Sequence, residues 1–355
     1  MRPLGRFPVP GKEHLKILIV TDAWKPQVNG VVTTLEMLGQ ELTGMGHQVR
    51  YATPQGRFSV PLPTYPEIRL AIFPRDGLEK TIREFAPDAV HISTEGTMGM
   101  SARALCIKHG IEFTTAFHTR YPEYVHARFP FIPESWVWRW ERWFHSRGVA
   151  TMARTPAMKR ELEAQGFKNV RLWEGGVDTA RFRPIDDATL PFPKPIFLYV
   201  GRVSIEKNIE AFLSLDLPGT KVVVGPGPAH ESLARKYPDV KFLGPKSGEE
   251  LVRAYAASDV NVFPSLTDTF GLVMLEALAC GTPVATFPRE VMQDVVGNCP
   301  AAALDDDLGA ACRRALTLPR DQARQFVLRH SAGAATRQFL SNLQVEQPVE
   351  IPASV

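Results

Sequence analysis

The sequence predicts an α/β protein of two Rossmann-like domains whose parallel sheets face each other across a cleft. Three observations predict it. Short β-rich runs alternate with helical stretches along most of the chain. The strand runs are nearly continuous in apolar residues, as in KILIV and IFLYV, which marks parallel sheets covered on both faces. The alternation breaks once, around Gly175 to Pro195, and then restarts. A chain of 355 residues is also too long for one compact core.

KILIVTDA reads as the first strand and VVTTLEMLGQELTGMG as the first helix, ended by Gly46. HQVRYATP, EIRLAIFP, DAVHIST and EFTTAFH follow as strands, with GLEKTIREFA and MSARALCIKHG as helices between them. VATMART and VRLWEGG carry the series to the end of a first domain, residues 1–174. Residues 175–194 are rich in Pro, Gly and charge and have no period, as a linker would be. PIFLYVGR, KVVVGPGP, VKFLGP, DVNVFPS and TPVATF then build a second domain over residues 195–325, with helices such as EELVRAYAAS between. Residues 326–355 are expected to return a helix to the first domain and to end in a loose tail, QVEQPVEIPASV.

Composition narrows the function. The chain is 44% hydrophobic and 22% charged, as ordinary soluble proteins are. A net charge of +3 is too small for a nucleic-acid-binding domain, so no nucleic-acid partner is expected. Cys106, Cys280, Cys299 and Cys312 have neither zinc spacing nor a disulfide pattern and read as reduced thiols. The start has Pro and charge where a leader needs apolar residues, and no run approaches the roughly 18 apolar residues that cross a bilayer. These features predict a cytoplasmic protein.

In open parallel sheets, ligands sit beyond the carboxyl ends of the strands. The stretch SLTDTFGLVMLEALACGTPVA lies at such a place, as strand, loop and helix. Asp268 falls in the loop and Glu276 on the second turn of the helix, on the order of 10 Å apart. That separation suits the two ends of one extended polar ligand. The amides near Phe270 to Val273 lie between, where a helix N-terminus favours phosphate. Hydroxyls at both ends and a diphosphate between describe a nucleotide sugar. A plainer reading makes Asp268 a helix cap and Glu276 a solvated helix residue, but Leu272, Leu275, Ala277 and Leu278 around Glu276 argue against it. In LYVGRVSIEKN, Gly201 and Arg202 end a strand and Lys207 starts a helix, so two cations can meet the two charges of a leaving diphosphate. VVVGPGP, with Gly225 and Gly227, is a weaker GxG turn.

These stretches, together with TDAWKPQVNGVVTTLEML, resemble the retaining glycosyltransferases of family 4, which have the GT-B fold. The family pattern is Glu, seven residues, Glu. Here Asp268 is the first acid, a variant that resembles bacterial lipid and mannosyl transferases. The resemblance implies that Asp268 holds hydroxyls of the transferred sugar and Glu276 those of the ribose. It implies that Arg202 and Lys207 grip the diphosphate, helped by the backbone of Phe270, Gly271 and Leu272, with Gly201 and Gly227 in the donor site. Gly30 would admit phosphate from the other domain, although Asn29 stands where the family often has a second glycine. His118 matches the family's active-site histidine; a strand-end histidine satisfied by backbone is the alternative. Transfer would keep the anomeric configuration, with the departing phosphate taking the acceptor's proton, and neither a metal nor another cofactor is expected. The donor is a UDP- or GDP-sugar, and the oligomeric state stays open.

Four of the six tryptophans fall in PESWVWRWERWFHSRG. On a helix from Pro133, Trp136, Trp140, Trp143 and Arg147 share one face, flanked by Arg139 and Arg142. Trp with Arg suits a lipid headgroup boundary, which predicts a lipid or glycan acceptor and a peripheral place at the inner membrane surface. Packing of these rings inside the first domain is the competing reading. Glu95, Arg120 and Tyr124 are further candidates for acceptor contact. Among other functions, a sugar-nucleotide epimerase of similar architecture would need no tryptophan segment, and a dehydrogenase would need the GxGxxG that is missing after KILIV. A non-enzymatic membrane module leaves the phosphate-directed residues unexplained.

Overall fold

The structure, a computed structural model, describes residues 13–343 except 28, 63 and 64. The tail expected to be loose lies outside the described residues. The first lobe carries strands β1 (Lys16–Val20), β2 (Gln48–Ala52), β3 (Ser59–Leu62), β4 (Tyr65–Ala71), β5 (Ala89–Ile92), β6 (Thr114–Ala116), β7 (Ala150–Ala153) and β8 (Val170–Leu172). Its helices are α1 (Gly30–Gly44), α2 (Arg75–Phe85), α3 (Thr97–His109), α4 (Tyr121–Arg128), α5 (Glu134–His145) and α6 (Pro156–Ala164). The second lobe has β9 (Ile196–Val200), α7 (Glu210–Leu213), β10 (Thr220–Val224), α8 (His230–Lys236), β11 (Lys241–Phe242) and α9 (Gly248–Ala257). It continues through β12 (Val260–Phe263), α10 (Leu272–Ala279), β13 (Val284–Thr286), α11 (Glu290–Val296), β14 (Ala302–Leu304), α12 (Leu308–Ala315) and α13 (Arg320–Val327). A last helix, α14 (Ala332–Leu343), follows.

Each lobe is built on a six-stranded parallel sheet, ordered β2-β1-β5-β6-β7-β8 in the first and β11-β10-β9-β12-β13-β14 in the second. The chain reverses direction across the sheet between β1 and β5, and again between β9 and β12. At such a switch point the outgoing loops diverge and leave a crevice. β9 leads into Gly201 and Arg202, and β12 into the loop that carries Asp268. Topology therefore brings the two charged motifs to one crevice although 60-odd residues separate them.

Two expectations about strands change. EIRLAIFP is not in the parallel sheet: β4 pairs antiparallel with β3 in a separate hairpin. An apolar run can serve either partner, and its tyrosine-to-alanine length gives no orientation. β14, the short alanine-rich AAL, is an edge strand that the sequence reading missed because alanine has little β preference.

α14 packs on α1, and its Phe339 and Leu343 are buried with Leu35, Leu38 and Trp173 in the core of the first lobe. The chain thus crosses between lobes twice. The crossings run side by side: Val177 donates to the His330 carbonyl at 3.0 Å, and Ala332 donates to that of Val177 at 3.2 Å. The four cysteines are free and buried. Among the described residues no helix is long and apolar enough to cross a membrane.

α5 is anchored to its sheet by an interior ionic group. His145 Nδ1 meets the Thr115 hydroxyl at 2.8 Å, and its Nε2 lies 3.2 Å from Glu141 and 3.4 Å from Glu95. Burial alone would push the imidazole down, but the two carboxylates outweigh it and raise its pKa to about 9. Burial, reinforced by Glu95, lifts Glu141 to about 7. The three ligand atoms lie within 4.8 Å of one another. A raised histidine pKa stabilises the fold below the unfolded value near 6.5 and loses that contribution as pH rises through about 9. The raised carboxyl has the same sign at lower pH. Replacing His145 with Gln is therefore expected to flatten the fall of unfolding free energy between pH 7 and 9.5 relative to the parent, by a difference on the order of 2 kcal/mol read from denaturant titrations. Parallel curves for the two proteins would contradict this.

Candidate functional site

The loop after β12 turns at Gly271, whose φ of +83° is a left-handed conformation that glycine adopts without strain. α10 starts there, and its first amides lack intrahelical partners. Phe270 is buried, packed where a Cβ on Gly175 would strike its ring at 2.0 Å.

Glu276 on α10 is buried, so the solvated-residue reading of it fails. The Tyr255 hydroxyl on α9 donates to its Oε2 at 2.8 Å. Burial raises the Glu276 pKa, while the Tyr255 hydrogen bond and the charge of Arg181 pull it back. Tyr255 is a residue that sequence reasoning missed. In EELVRAYAAS it occupies an inward, apolar position and carries no mark that distinguishes it from core.

Asp268 does not stand alone in its loop. Lys207, at the end of a 3-10 turn over Ile205–Lys207, places Nζ 2.6 Å from Asp268 Oδ1, while Asp268 Oδ2 is buried without a hydrogen-bond partner. Burial would lower the Lys207 pKa, but Asp268 and the neighbouring tyrosines raise it, so the ammonium stays charged. One of those tyrosines is Tyr124 of the first lobe, whose hydroxyl lies close enough to Lys207 for the two to shift each other's pKa. Tyr124 thus reaches the donor side of the crevice.

The Arg202 backbone is positioned by glycines. Gly201 has φ +153° and donates to the Val224 carbonyl at 3.0 Å, and Val203 donates to that of Pro226 at 2.8 Å. A Cβ on Gly225 would lie 1.9 Å from the Gly201 carbonyl oxygen, and one on Gly227 would lie 2.1 Å from that of Val203. The GxG pair is therefore explained by two backbones crossing, which holds the Arg202 loop in place. The Tyr199 hydroxyl adds a bond to the Arg202 carbonyl at 2.7 Å.

From the first lobe, His118 stands just past β6, and its carbonyl accepts from the Thr269 hydroxyl at 2.9 Å. This hydrogen bond joins the histidine's loop to the acidic loop across the crevice. Burial and then the nearby Arg154 charge push the His118 pKa well below the usual range, so the ring is neutral. Its Nε2 is buried and unpartnered, so the backbone-satisfied reading does not describe the ring. At the start of α1, Asn29 Oδ1 accepts from Val31 and Val32 at 3.0 Å each, capping the helix. A Cβ on Gly30 would meet nothing within 4 Å, so the backbone there is open on that side. The first amides of α1 are engaged by Asn29 itself, the physical meaning of its departure from a second glycine.

Two of the acceptor candidates, Arg120 and Glu95, have partners within the first lobe, as does Arg142 beside the tryptophans. Arg120 is held in a carboxylate clamp, 2.7 Å from both oxygens of Glu161 on α6 and bonded to Glu123, so it ties α4 to α6. Glu95 is engaged by His145 inside the lobe. Arg142 donates to the Gln165 carbonyl at 2.9 Å. The tryptophans behave otherwise. Trp136, Trp140 and Trp143 are 62%, 37% and 47% exposed, whereas Trp138, on the other side of α5, is buried against Phe117 and Phe167. Internal packing therefore describes Trp138, while Trp140 and Trp143 are partly covered by Phe144 and Arg103, and Trp136 is the most open of the four. Phe129 and Phe131, in the turn before α5, are exposed beside them.

Residues 28–181 match Glycosyltransferase Family 4, and residues 194–318 match Glycosyl transferases group 1. Relatives include the sulfoquinovosyl transferase SQD2 of Arabidopsis thaliana, 29% identical over 87% of this chain, which spans 63% of that protein's length. A GDP-mannose-dependent alpha-mannosyltransferase of Mycolicibacterium smegmatis is 28% identical, with 91% of this chain and 92% of the relative covered. An alpha-monoglucosyldiacylglycerol synthase of Streptococcus pneumoniae is 26% identical, with 86% and 79% covered. Among solved structures, a sucrose-phosphate synthase from Thermosynechococcus elongatus superposes with a TM-score of 0.76 at 22% identity, covering 92% of this chain and 98% of that one. With both lobes matched and the crevice built from the motifs that first suggested the resemblance, the chain joins a Glycosyltransferase Family 4 domain to a Glycosyl transferases group 1 domain on the GT-B fold.

Proposed function

We propose that the protein is a retaining hexosyltransferase that uses a nucleotide-diphosphate sugar and glycosylates a lipid or lipid-linked glycan. The observation that carries this reading is the Lys207–Asp268 pair, set where the switch point of the second sheet opens and joined through Thr269 to the His118 loop of the first lobe. Lys207 with Arg202 supplies two cations for a diphosphate, and the free Oδ2 of Asp268 is an acceptor for sugar hydroxyls. Glu276, buried and oriented by Tyr255, suits a ribose diol. Neutral His118 can donate to a sugar hydroxyl.

In the transfer, the bond from the anomeric carbon to the β-phosphate oxygen breaks, and its electron pair stays on the phosphate. The acceptor oxygen bonds to the same carbon on the same face, and its proton passes to the departing phosphate. Charge grows on that phosphate in the transition state, so Arg202 and Lys207 contribute most there. Two fixed cations suffice for this role, and the proposed reaction uses no metal. The lipid side rests on the exposed Trp136–Trp140–Trp143 face, on the path leading from His118, and gains support from the diacylglycerol-directed relative. The corresponding location is the inner surface of the cytoplasmic membrane.

Turnover with membrane lipid and a panel of UDP- and GDP-sugars tests the reaction, and the anomeric configuration of the product tests retention. Lys207→Ala and Arg202→Ala are each expected to lose roughly 10²-fold or more in kcat. Near-parent kcat in both variants would remove the cations from the mechanism. Glu276→Ala is expected to weaken binding of the free nucleoside diphosphate in calorimetry, and Tyr255→Phe to weaken it about tenfold. Because the Tyr255 hydrogen bond holds the Glu276 pKa down, its loss should also move the acid limb of nucleotide affinity to higher pH. An unmoved limb would mean that Tyr255 merely packs. A triple Trp136/Trp140/Trp143 alanine variant, folded as judged by circular dichroism, should sediment less with anionic liposomes. Equal sedimentation would end the membrane role of this face.

A further inference from the structure

The two charged motifs of the second lobe meet at Lys207 and Asp268, and they are joined a second time beneath that pair, by Asn208. This residue ends the 3-10 turn that carries Lys207, and its φ of +52° and ψ of 31° lie in the left-handed region. Its N–H closes the turn on the Ile205 carbonyl at 2.9 Å, and its own carbonyl accepts from Ala211 at 3.1 Å as the chain enters α7. Most side chains are strained in this conformation; asparagine tolerates it, and glycine adopts it freely. A demand for the backbone shape alone would be met by glycine. What asparagine adds is the side-chain amide.

That amide has a partner on the other motif. Asn208 Nδ2 donates to the Pro264 carbonyl at 3.0 Å. Pro264 is buried and follows Phe263, the last residue of β12, so its carbonyl lies where the strand ends and the acidic loop begins. A buried carbonyl needs a donor, and here the donor comes from the loop after β9. The hydrogen bond therefore spans the switch point. Two links tie the β9 loop to the β12 loop, Asn208 to Pro264 at the base and Lys207 to Asp268 at the tip. The Lys207 ammonium is a point charge on a flexible stem, so its reach is set by where its backbone is held. An arriving diphosphate competes with Asp268 for the tip; the link at the base involves no charged group and is left intact.

We propose that Asn208 is a positioning residue of the donor site: by fastening the Lys207 turn to the end of β12, its amide keeps the ammonium over the diphosphate once that ammonium has left Asp268. The inference rests on the crevice being the donor site.

The test uses the full chain with Asn208→Gly, which keeps the left-handed turn and removes the amide, alone and combined with Lys207→Ala. Affinities for UDP and GDP are read by calorimetry. Asn208→Gly is expected to bind whichever of the two the parent binds about fivefold more weakly. In the Lys207→Ala background the same substitution is expected to change affinity by less than about twofold, because no ammonium is left to place. A loss as large in that background as in the parent means that Asn208 only supports the fold, and overturns the proposal. No loss in the parent background overturns it as well. Should Asn208→Gly fail to fold, Asn208→Ser, whose hydroxyl is too short to replace the amide, decides by the same comparison. The transferase reading fails separately, when the parent binds neither UDP nor GDP, and takes this inference with it.

Discussion

A lysine ammonium in a crevice lined by aromatic rings needs a counter-charge whether or not a substrate is present. In this protein Asp268 supplies it, with the Tyr124 hydroxyl of the first lobe nearby. This pairing is the constraint from which the rest of the crevice follows. It holds Lys207 extended toward the opposite lobe, fixes the loop that starts α10, and brings a first-lobe side chain to the donor side. In the proposed reaction an incoming diphosphate exchanges places with these partners, so little rearrangement is needed and the cations are positioned before charge develops. Preorganisation of this kind is the usual source of electrostatic rate enhancement.

The backbone beneath that pair is equally constrained. The ends of β9 and β10 cross so closely that side chains on Gly225 or Gly227 would collide with the carbonyls of Gly201 and Val203. Glycine there serves a stack of peptide planes instead of a ligand. The consequence for Arg202 is the same, because its loop can occupy few positions. The interlobe bond from Thr269 to the His118 carbonyl then aligns the histidine's loop with the acidic one.

Much of this was readable from residues alone, for a physical reason. Parallel strands buried on both faces leave near-continuous apolar runs, and the loops after them carry the chemistry. The runs IFLYV and VNVF therefore located Arg202 and Asp268 together with the strands. The Lys207–Asp268 contact was not readable, since it depends on the order of strands in a sheet. Tyr255 was hidden because a buried tyrosine that orients a carboxylate occupies the same helical position as one that only packs. Arg154 was hidden for the opposite reason: in VATMART a charged residue after a strand looks like an exposed loop residue, and only the three-dimensional structure buries it beside Trp173 and Phe270. Trp138 and its three neighbours separate once the inward side of α5 is known, although all four look alike in the sequence. Arg120 and Glu95 carry ion pairs inside the first lobe that their positions in the sequence do not announce.

The return of α14 to the first lobe bears on how the chain comes off the ribosome. Phe339 and Leu343 complete the apolar interior formed by Leu35, Leu38 and Trp173, yet they are synthesised only after every strand of the other lobe. The first lobe must wait with an open seam along α1, while the second lobe already has all of its own strands. Closure of the first lobe therefore waits on a segment that the second lobe separates from it in the chain.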